Sequence, residues 1–418
     1  MSTWAFRFLL WFICVLYTQP QNRFAFMMPF HIADLTVAGA VVFHFLSAGQ
    51  SGGVLKLGPS SMLTLCLLVF GLLAQYAGAL VVDTTWNGYI DIVIKSSVVA
   101  LLVEATCTSV KRVWIVQLTL LLATLWWVKA GIRLSGAGAT YQGDRIMGPA
   151  VAMVENPNGF AYMMCVILPT YLYFFQQFKT PWMRWGCLGL GVIAVYIILQ
   201  TGSRTGMLCL ITVGLFLLPK YGSQHKAALV FVGIAIVILS SSVGALNIER
   251  FKSIPRSVMN FLGGVADKSA HMMDMDEQSA HERKMKNQHT WALIKEYPLF
   301  GVGMAPDESQ FADTYPFATG QVHCEILMAG RQMGIIGMGL HLGFMAILFI
   351  LGLRCQHYFK DWWPAASDLG WTFKMQALVF AVGGSFSPLP WSAPFMILVA
   401  SCSALWGLRL QHPRPVQP

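Results

Sequence analysis

Long apolar stretches alternate with short polar connections along most of the chain. A transmembrane helix needs roughly 20 apolar residues to cross about 30 Å of hydrocarbon, and by this criterion the pattern predicts about twelve spans. They centre on residues 4–18, 28–48, 58–82, 87–109, 113–132, 158–178, 184–201, 205–219, 226–245, 326–353, 372–388 and 390–408. The predicted fold is therefore an all-α, polytopic membrane protein.

One polar, charge-rich insertion interrupts this pattern between the ninth and tenth spans, from Asn247 to Gln321. It divides the chain into residues 1–246 with about nine spans, a large loop at 247–325, and residues 326–418 with about three spans. Because only this segment keeps many residues in water, we expect the chemistry to lie in it and on the membrane ends that face it.

The composition excludes an ordinary soluble enzyme. Of the 418 residues, 56% are hydrophobic and 11% are charged, against about 25% charged in a typical soluble domain. The net charge of +9 comes from basic residues scattered singly between apolar runs, which is typical of topology signals and not of nucleic-acid binding. Of nine cysteines only Cys324 borders the loop, and their spacing predicts no disulfide framework or metal pair.

The distribution of Lys and Arg between alternate connections predicts the orientation. With a cytoplasmic N-terminus, the inner connections hold most of them, namely Lys56, Lys111, Arg112, Lys179, Arg184, Lys220, Lys226, Arg354, Lys360, Lys374, Arg409 and Arg414. The short outer connections hold Arg23, Arg133, Arg145 and Arg204. Both termini are therefore expected in the cytoplasm and the large loop outside, where ATP is absent and a substrate must already be activated.

Two further features concern the spans themselves. The first apolar run follows Arg7 as in a signal peptide, but it lacks a small-residue cleavage site, so an uncleaved span is expected. Within the fourth run, Asp91 and Lys95 are four residues apart on one helical face and are predicted to form a structural ion pair. Glu104, Asp34 and His44 also fall inside predicted spans.

Three outward-facing basic residues carry possible chemistry: Arg204, Arg283 and His323. A guanidinium offers a planar fork of donors that matches phosphate oxygens. A neutral histidine can take a proton from an attacking hydroxyl, and a position at the start of a helix disfavours the histidine cation. Taken singly, such residues more often anchor a span or satisfy a hydrogen bond, so only their combination indicates a site for a lipid-linked diphosphate.

From about Arg145 to Ile336 the chain resembles the O-antigen ligase superfamily. The resemblance rests on an order of four short motifs around the large loop. These are Glu155-Asn-Pro-Asn158 before a span ending in Leu168-Pro169, Gly202-Ser-Arg204-Thr-Gly206, Arg283 fifteen residues before Pro298-Leu-Phe-Gly-Val-Gly303, and His323 eleven residues before Gly334-Ile-Ile-Gly337.

The resemblance implies a bacterial inner-membrane glycosyltransferase. Such a protein moves a glycan from an undecaprenyl-diphosphate carrier to an acceptor hydroxyl, on the lipid A core, a protein or another envelope polymer, outside the membrane. It further implies that Arg204 and Arg283 bind the diphosphate and that His323 is the general base. Arg145 and Lys284 are possible additional contacts. The implied displacement inverts the anomeric carbon and uses neither metal nor cofactor, since arginines carry the positive charge at the leaving group.

The chain departs from the family's usual pattern near the histidine and the loop arginine. Cys324 stands where Asn is common, Gln332 where Glu is often found, and Asn287 replaces an aromatic residue, with Trp291 one turn farther. From their spacing, Glu325 is expected to favour the His323 cation and Arg331 to oppose it.

The outer-loop aromatics Trp291, Tyr297, Tyr315 and Phe317 are equally compatible with stacking on sugars and with packing of the loop. The cluster at 271–281, with two histidines and three acidic residues, fits no zinc or calcium spacing and is expected to be a solvated acidic loop.

Two other functions remain compatible with these residues. One is an O-antigen polymerase, which uses a second carrier-linked glycan as acceptor. The other is a transporter or flippase that binds a lipid-linked anion with the same arginines and breaks no bond, although such proteins often carry inverted repeats that this sequence lacks.

Overall fold

The chain is almost entirely helical in the parts described by the computed structural model, which are residues 2–22, 24–51, 58–136, 140–141, 145–149, 154–221, 275–320, 322–387 and 390–411. In the N-terminal half the helices are α1 (Ser2–Thr18), α2 (Ile32–Ser51), α3 (Pro59–Ala79), α4 (Trp86–Gly88), α5 (Lys95–Thr106), α6 (Val110–Gly136), α7 (Pro157–Gln177), α8 (Pro181–Gln200) and α9 (Arg204–Tyr221). A π-helical segment, Tyr89–Ile94, joins α4 to α5. The strands β1 (Thr140–Tyr141) and β2 (Arg145–Ile146) form a small antiparallel pair.

The remaining helices follow the polar insertion. They are α10 (Met275–Glu296), α11 (Ser309–Ala312), α12 (Glu325–Tyr358), α13 (Pro364–Gly384) and α14 (Ala393–Gly407). Short 3₁₀ turns lie at Pro20–Asn22, Ala25–Phe30, Pro316–Ala318 and Leu408–Leu410.

Within the described residues, seven helices are long and apolar enough to cross a membrane, against the prediction of about twelve spans. They are Phe26–Ala48, Pro59–Ala79, Val110–Gly136, Pro157–Gln177, Pro181–Gln200, Glu325–Tyr358 and Ala393–Leu410. The first, fourth, eighth and eleventh predicted spans also form helices, but these are shorter or carry charges such as Asp91, Lys95 and Glu104. The ninth, at 226–245, and the first part of the insertion lie outside the described residues.

Helix α7 lies at the centre of the bundle. Its side chains are buried on all faces over most of its length, as expected for a helix surrounded by other helices. It packs against α6, α8, α9 and α13, while α12 packs against α3, α13 and α14. The sequence marks this position because residues 158–178 are apolar throughout, whereas the outer helices leave large apolar side chains exposed on one face.

Contacts between connections occur at both ends of the bundle. At one end, the backbone N–H of Thr85 donates to the Ala305 carbonyl and that of Asp307 donates to the Asp83 carbonyl. At the other end, the Lys220 ammonium pairs with the Asp368 carboxylate at 2.9 Å, and the Gln177 amide donates to the same carboxylate at 3.3 Å. Residues 305–307 of the insertion therefore lie at the same end as the connection between α3 and α4.

The charges inside the apolar helices have partners. Lys95 pairs with Asp91 at 2.9 Å, which confirms the predicted ion pair, and also with Asp34 at 3.0 Å. Glu104 accepts hydrogen bonds from the Ser60 hydroxyl at 2.6 Å and the Ser61 backbone N–H at 2.8 Å, at the start of α3. These contacts explain both groups of charges as parts of the helix packing.

Candidate functional site

Helix α12 is not the continuous span that the sequence predicts, because its chain reverses at Met333 and Gly334. In a straight helix the side chains of Glu325 and His341 would stand about 24 Å apart, yet a Glu325 carboxylate oxygen lies 3.2 Å from Nε2 of His341. Gly337 likewise lies against the Ala329 carbonyl. The non-helical φ/ψ angles of Met333 and Gly334 mark the turn. The segment 325–332, which we call the short arm, therefore folds back antiparallel to residues 335–358.

The segment Pro298-Leu-Phe-Gly-Val-Gly303 fixes this turn. The Ile335 N–H donates to the Pro298 carbonyl at 2.8 Å, and the Val302 N–H donates to the Arg331 carbonyl at 2.9 Å. Gly301 (φ +64°) and Gly334 (φ +62°) adopt left-handed backbone, and a Cβ at either would collide with backbone of the opposite segment. This family-like motif therefore has a structural role, which is to hold the short arm in place.

Helix α10 runs beside the short arm and leads into the same turn. Near its end, Ile294 packs against Gly330 of the short arm. About two turns earlier, Lys286 reaches Gly320: its ammonium lies 3.9 Å from the position that a Cβ on Gly320 would take. The first half of α10 therefore faces the segment that leads into His323, at the foot of the short arm.

His323 is half-buried there, and its pKa is lowered to about 4. Burial is the largest cause, and the positive charges of Arg283 and Lys286 add to it. The expected neutral imidazole is thus present at neutral pH, but the charges responsible are on α10 and not at Glu325 or Arg331. The structure brings Arg283 and His323 together, two residues that are 40 positions apart in sequence.

Arg331 instead stabilises the loop in front of His323. Its side chain is 4% exposed. One guanidinium nitrogen donates to the carboxylate of Glu308 at 3.0 Å and to the carbonyls of Ala318 and Gly320 at 2.8 and 3.1 Å. A buried guanidinium with these partners holds the segment 318–320 against the short arm.

A second cluster joins Arg145 to the turn that carries Arg204. The Arg145 guanidinium donates to the Thr201 carbonyl at 2.9 Å and to the Asn158 side-chain oxygen at 3.0 Å. The Ser203 hydroxyl donates to the same Asn158 oxygen at 3.0 Å. Asn156 caps the start of α7 by accepting from the Gly159 N–H. Arg145, predicted as a possible substrate contact, therefore lies buried behind the turn at 201–203, and Arg204 follows at the first residue of α9.

The two clusters are linked through Tyr162 and Glu325. Tyr162 lies four residues after Asn158 on α7, about 6 Å along the axis. Its hydroxyl donates to the Glu325 carboxylate at 3.1 Å. Glu325 is buried, follows His323 by two residues, and also lies 3.2 Å from His341. The Arg204 turn and His323 are therefore on adjoining elements, at the end of the bundle that faces the large loop.

The sequence predicts Lys284 as a possible additional substrate contact, and the structure draws attention to Lys286 on the same helix. In a helix, residues i and i+3 share a face, whereas i and i+1 are about 100° apart. On α10, Lys286 therefore shares a face with Arg283, and Lys284 does not. The predicted participation of Lys284 stays a prediction, and it is Lys286 whose charge acts on His323. The spacing of Arg283 and Lys286 was the available signal, and it required knowing that this part of the insertion is helical.

The loop aromatics divide between the two expected roles. The Tyr315 hydroxyl donates to the Glu296 carboxylate at 2.6 Å, and the Phe317 ring contacts that of His289 at a centroid distance of 5.3 Å. Trp391 donates to Gln332 at 3.0 Å, so Gln332 has a packing partner. Trp291 is 44% exposed and remains compatible with stacking on a sugar.

Among the described residues no group of three or more metal-ligating side chains occurs, and His271 and Asp274 of the acidic cluster lie outside them.

Fold and site together define a multi-pass helical membrane protein with cationic side chains around a half-buried, neutral histidine at one end. Residues 189–342 match a protein family described as O-antigen ligase. This match supports the resemblance to the O-antigen ligase superfamily seen in the sequence. The matched region contains Arg204, Arg283 and His323 and ends just after His341. No curated protein matches the chain.

Proposed function

We propose that this protein is an O-antigen-ligase-like glycosyltransferase. It transfers a glycan from undecaprenyl diphosphate to an acceptor hydroxyl, on the lipid A core or another envelope acceptor, outside the bacterial inner membrane. The family supports a membrane glycosyltransferase. The observation that carries the mechanism is the position of Arg283 beside His323, whose pKa of about 4 leaves the imidazole neutral.

In the proposed reaction, the acceptor oxygen attacks the anomeric carbon of the donor sugar. The bond between that carbon and the phosphate oxygen breaks, and its electron pair leaves with the lipid diphosphate. His323 takes the hydroxyl proton. Arg204 and Arg283 bind the diphosphate and stabilise the negative charge that grows on it. The configuration at the anomeric carbon is inverted.

Arg145 acts through Arg204 in this proposal. Its hydrogen bonds to Thr201 and Asn158 fix the turn that precedes Arg204. Position matters here because a misplacement of about 1 Å costs on the order of 100-fold in rate. Arg145 is accordingly a positioning residue, and Lys284 is retained as a secondary candidate for the donor.

The test is glycan transfer by the purified protein in liposomes, with a labelled undecaprenyl-diphosphate glycan and lipid A core as acceptor. Arg204→Ala, Arg283→Ala and His323→Ala are each expected to lower transfer at least about 100-fold, since general-base catalysis alone contributes 10²–10⁴-fold. Lys295→Ala on the exposed side of α10 is the matched control and should keep full activity. Full activity in all three site variants would refute the proposal.

The same experiment separates the alternatives. A polymerase lengthens the glycan when supplied with the lipid-linked donor alone, whereas a ligase needs the second acceptor. A transporter moves the labelled lipid between the leaflets and leaves the sugar–phosphate bond intact. Release of undecaprenyl diphosphate that depends on lipid A core is therefore the result expected here.

A further inference from the structure

Lys286 lies where a second cation would meet the donor, although neither the family motifs nor the sequence assign it a role. It is three residues after Arg283 on α10, so the two side chains leave the same face of the helix with Cβ atoms about 5–6 Å apart. Both are half-buried. The helix therefore presents a guanidinium and an ammonium side by side.

The surrounding loop holds this ammonium close to His323. The Lys286 nitrogen lies next to Gly320, three residues before the histidine. Gly320 itself is fixed on both sides: its N–H donates to Glu308, and its carbonyl accepts from Arg331 at 3.1 Å. Glu308 pairs with Arg331 at 3.0 Å and forms no ion pair with Lys286.

The two charges that act on the pKa of His323, those of Arg283 and Lys286, are both positive. Among the described residues, Lys286 forms no ion pair with an acidic side chain, while Glu296 is bound by Tyr315 and Glu325 by Tyr162 and His341. The pKa of His323 is lowered by both Arg283 and Lys286, which places the two charges within electrostatic reach of one imidazole. An anion that enters beside His323 therefore meets two cations from α10.

We infer that Lys286 binds the donor diphosphate together with Arg283, and that this pair makes the site select a diphosphate over a monophosphate. The inference rests on the proposed function, because it names the group of the donor that α10 recognises. A guanidinium binds two phosphate oxygens in a fixed fork, and an ammonium adds a compact charge on a flexible stem. With Arg204 and Arg283 already on the donor, Lys286 is the additional cation that engages the second phosphate, which a monophosphate lacks.

The test is a binding measurement on the purified full chain in nanodiscs, with undecaprenyl diphosphate and undecaprenyl monophosphate as the two probes. We expect Lys286→Ala to weaken diphosphate binding about tenfold and monophosphate binding less than about threefold. Lys286→Arg should restore most of the preference because it keeps the charge. Lys295→Ala is the control, since it lies nine residues later on the opposite side of the same helix and should change neither affinity.

The ratio of the two affinities within one variant does not depend on how much of that variant is folded, so a partly misfolded sample still decides the question. Equal losses for both lipids, or no loss for either, would overturn the inference, as would a wild-type protein with no preference for the diphosphate. A failure of the proposed function gives a different result from a failure of this inference. The wild-type protein would bind the diphosphate but transfer no glycan, and Lys286→Ala would still weaken binding of the diphosphate.

Discussion

The cationic side chains at the loop-facing end fall into two groups that differ in burial and partners. Arg145 and Arg331 are 8% and 4% exposed, and each donates to main-chain carbonyls and to a side-chain oxygen. Arg283 and Lys286 are half-buried and act on the imidazole of His323. The same chemical groups therefore stabilise the fold in one setting, and in the other we propose that they bind the donor. Residue type alone does not distinguish these roles.

The largest expected difference between the two groups of cations is in their contribution to the free energy of unfolding. Arg331→Ala removes the buried cation of a pair whose Glu308 carboxylate is 33% exposed, and it leaves the Ala318 and Gly320 carbonyls without their donor. Loss of hydrogen bonds from a charged donor costs about 2 kcal/mol. We expect a lower thermal unfolding temperature in detergent, together with loss of transfer. Arg283→Ala should lose transfer at an unfolding temperature close to that of the wild type. Equal destabilisation by both substitutions would break the distinction.

A smaller effect is expected at the turn that carries Arg204. Arg145→Lys keeps the positive charge, but an ammonium does not reproduce the two directed hydrogen bonds to Thr201 and Asn158. We expect kcat/KM for the lipid-linked donor to fall about tenfold, which corresponds to about 1.4 kcal/mol, mostly through kcat because Arg204 is misplaced in the transition state. Asn158→Ala removes the other side of the same contact and should act in the same direction. If Arg145 instead contacts the donor directly, Arg145→Lys will raise KM for the donor. Asn158→Ala will then not reproduce the loss of kcat/KM.

The smallest expected effect is on the pH dependence of transfer. His323 has its pKa lowered to about 4 because burial and the charges of Arg283 and Lys286 disfavour its cation. The base form is therefore present above about pH 4 and is lost as the pH falls through that value. Titration of His323 should therefore leave kcat/KM nearly constant from pH 7 down to about pH 5. In Lys286→Ala the acid limb should move to higher pH, because one cation has been removed. A limb that stays in place would show that Lys286 does not act on His323.

The sequence was informative about the helices and less so about how one of them folds. Each predicted span within the described residues coincides with a helix, because long apolar runs require internal backbone hydrogen bonding in a membrane. The run at 326–353 is mostly apolar and long enough for one span, so its length and composition gave no sign that its chain turns back. Gly334 and the glycines at 301 and 303 were visible in the sequence, but their purpose depends on the contact between the Pro298 segment and α12.

The candidate site shows the same division. Motif order predicts Arg204, Arg283 and His323. The sequence analysis does not single out Lys286, whose place on one face with Arg283 depends on this part of the insertion being helical. The Tyr162–Glu325 contact, 3.1 Å between residues 163 positions apart, had no local signal. Arg145 had the expected residue type, but its hydrogen bonds to Thr201 and Asn158 follow from the way β2 meets the ends of α7 and α8.

By itself the sequence determined that this is a multi-pass membrane protein with a large polar loop, and it identified the superfamily through short motifs. These are properties of composition and order, which persist whatever the packing. Only the tertiary structure decided which cations are structural and which face His323, because burial and partners come from segments far apart in the chain. The reversal at Gly334 was also decided by the tertiary structure, because its left-handed backbone is stabilised by a loop more than 30 residues earlier in the chain.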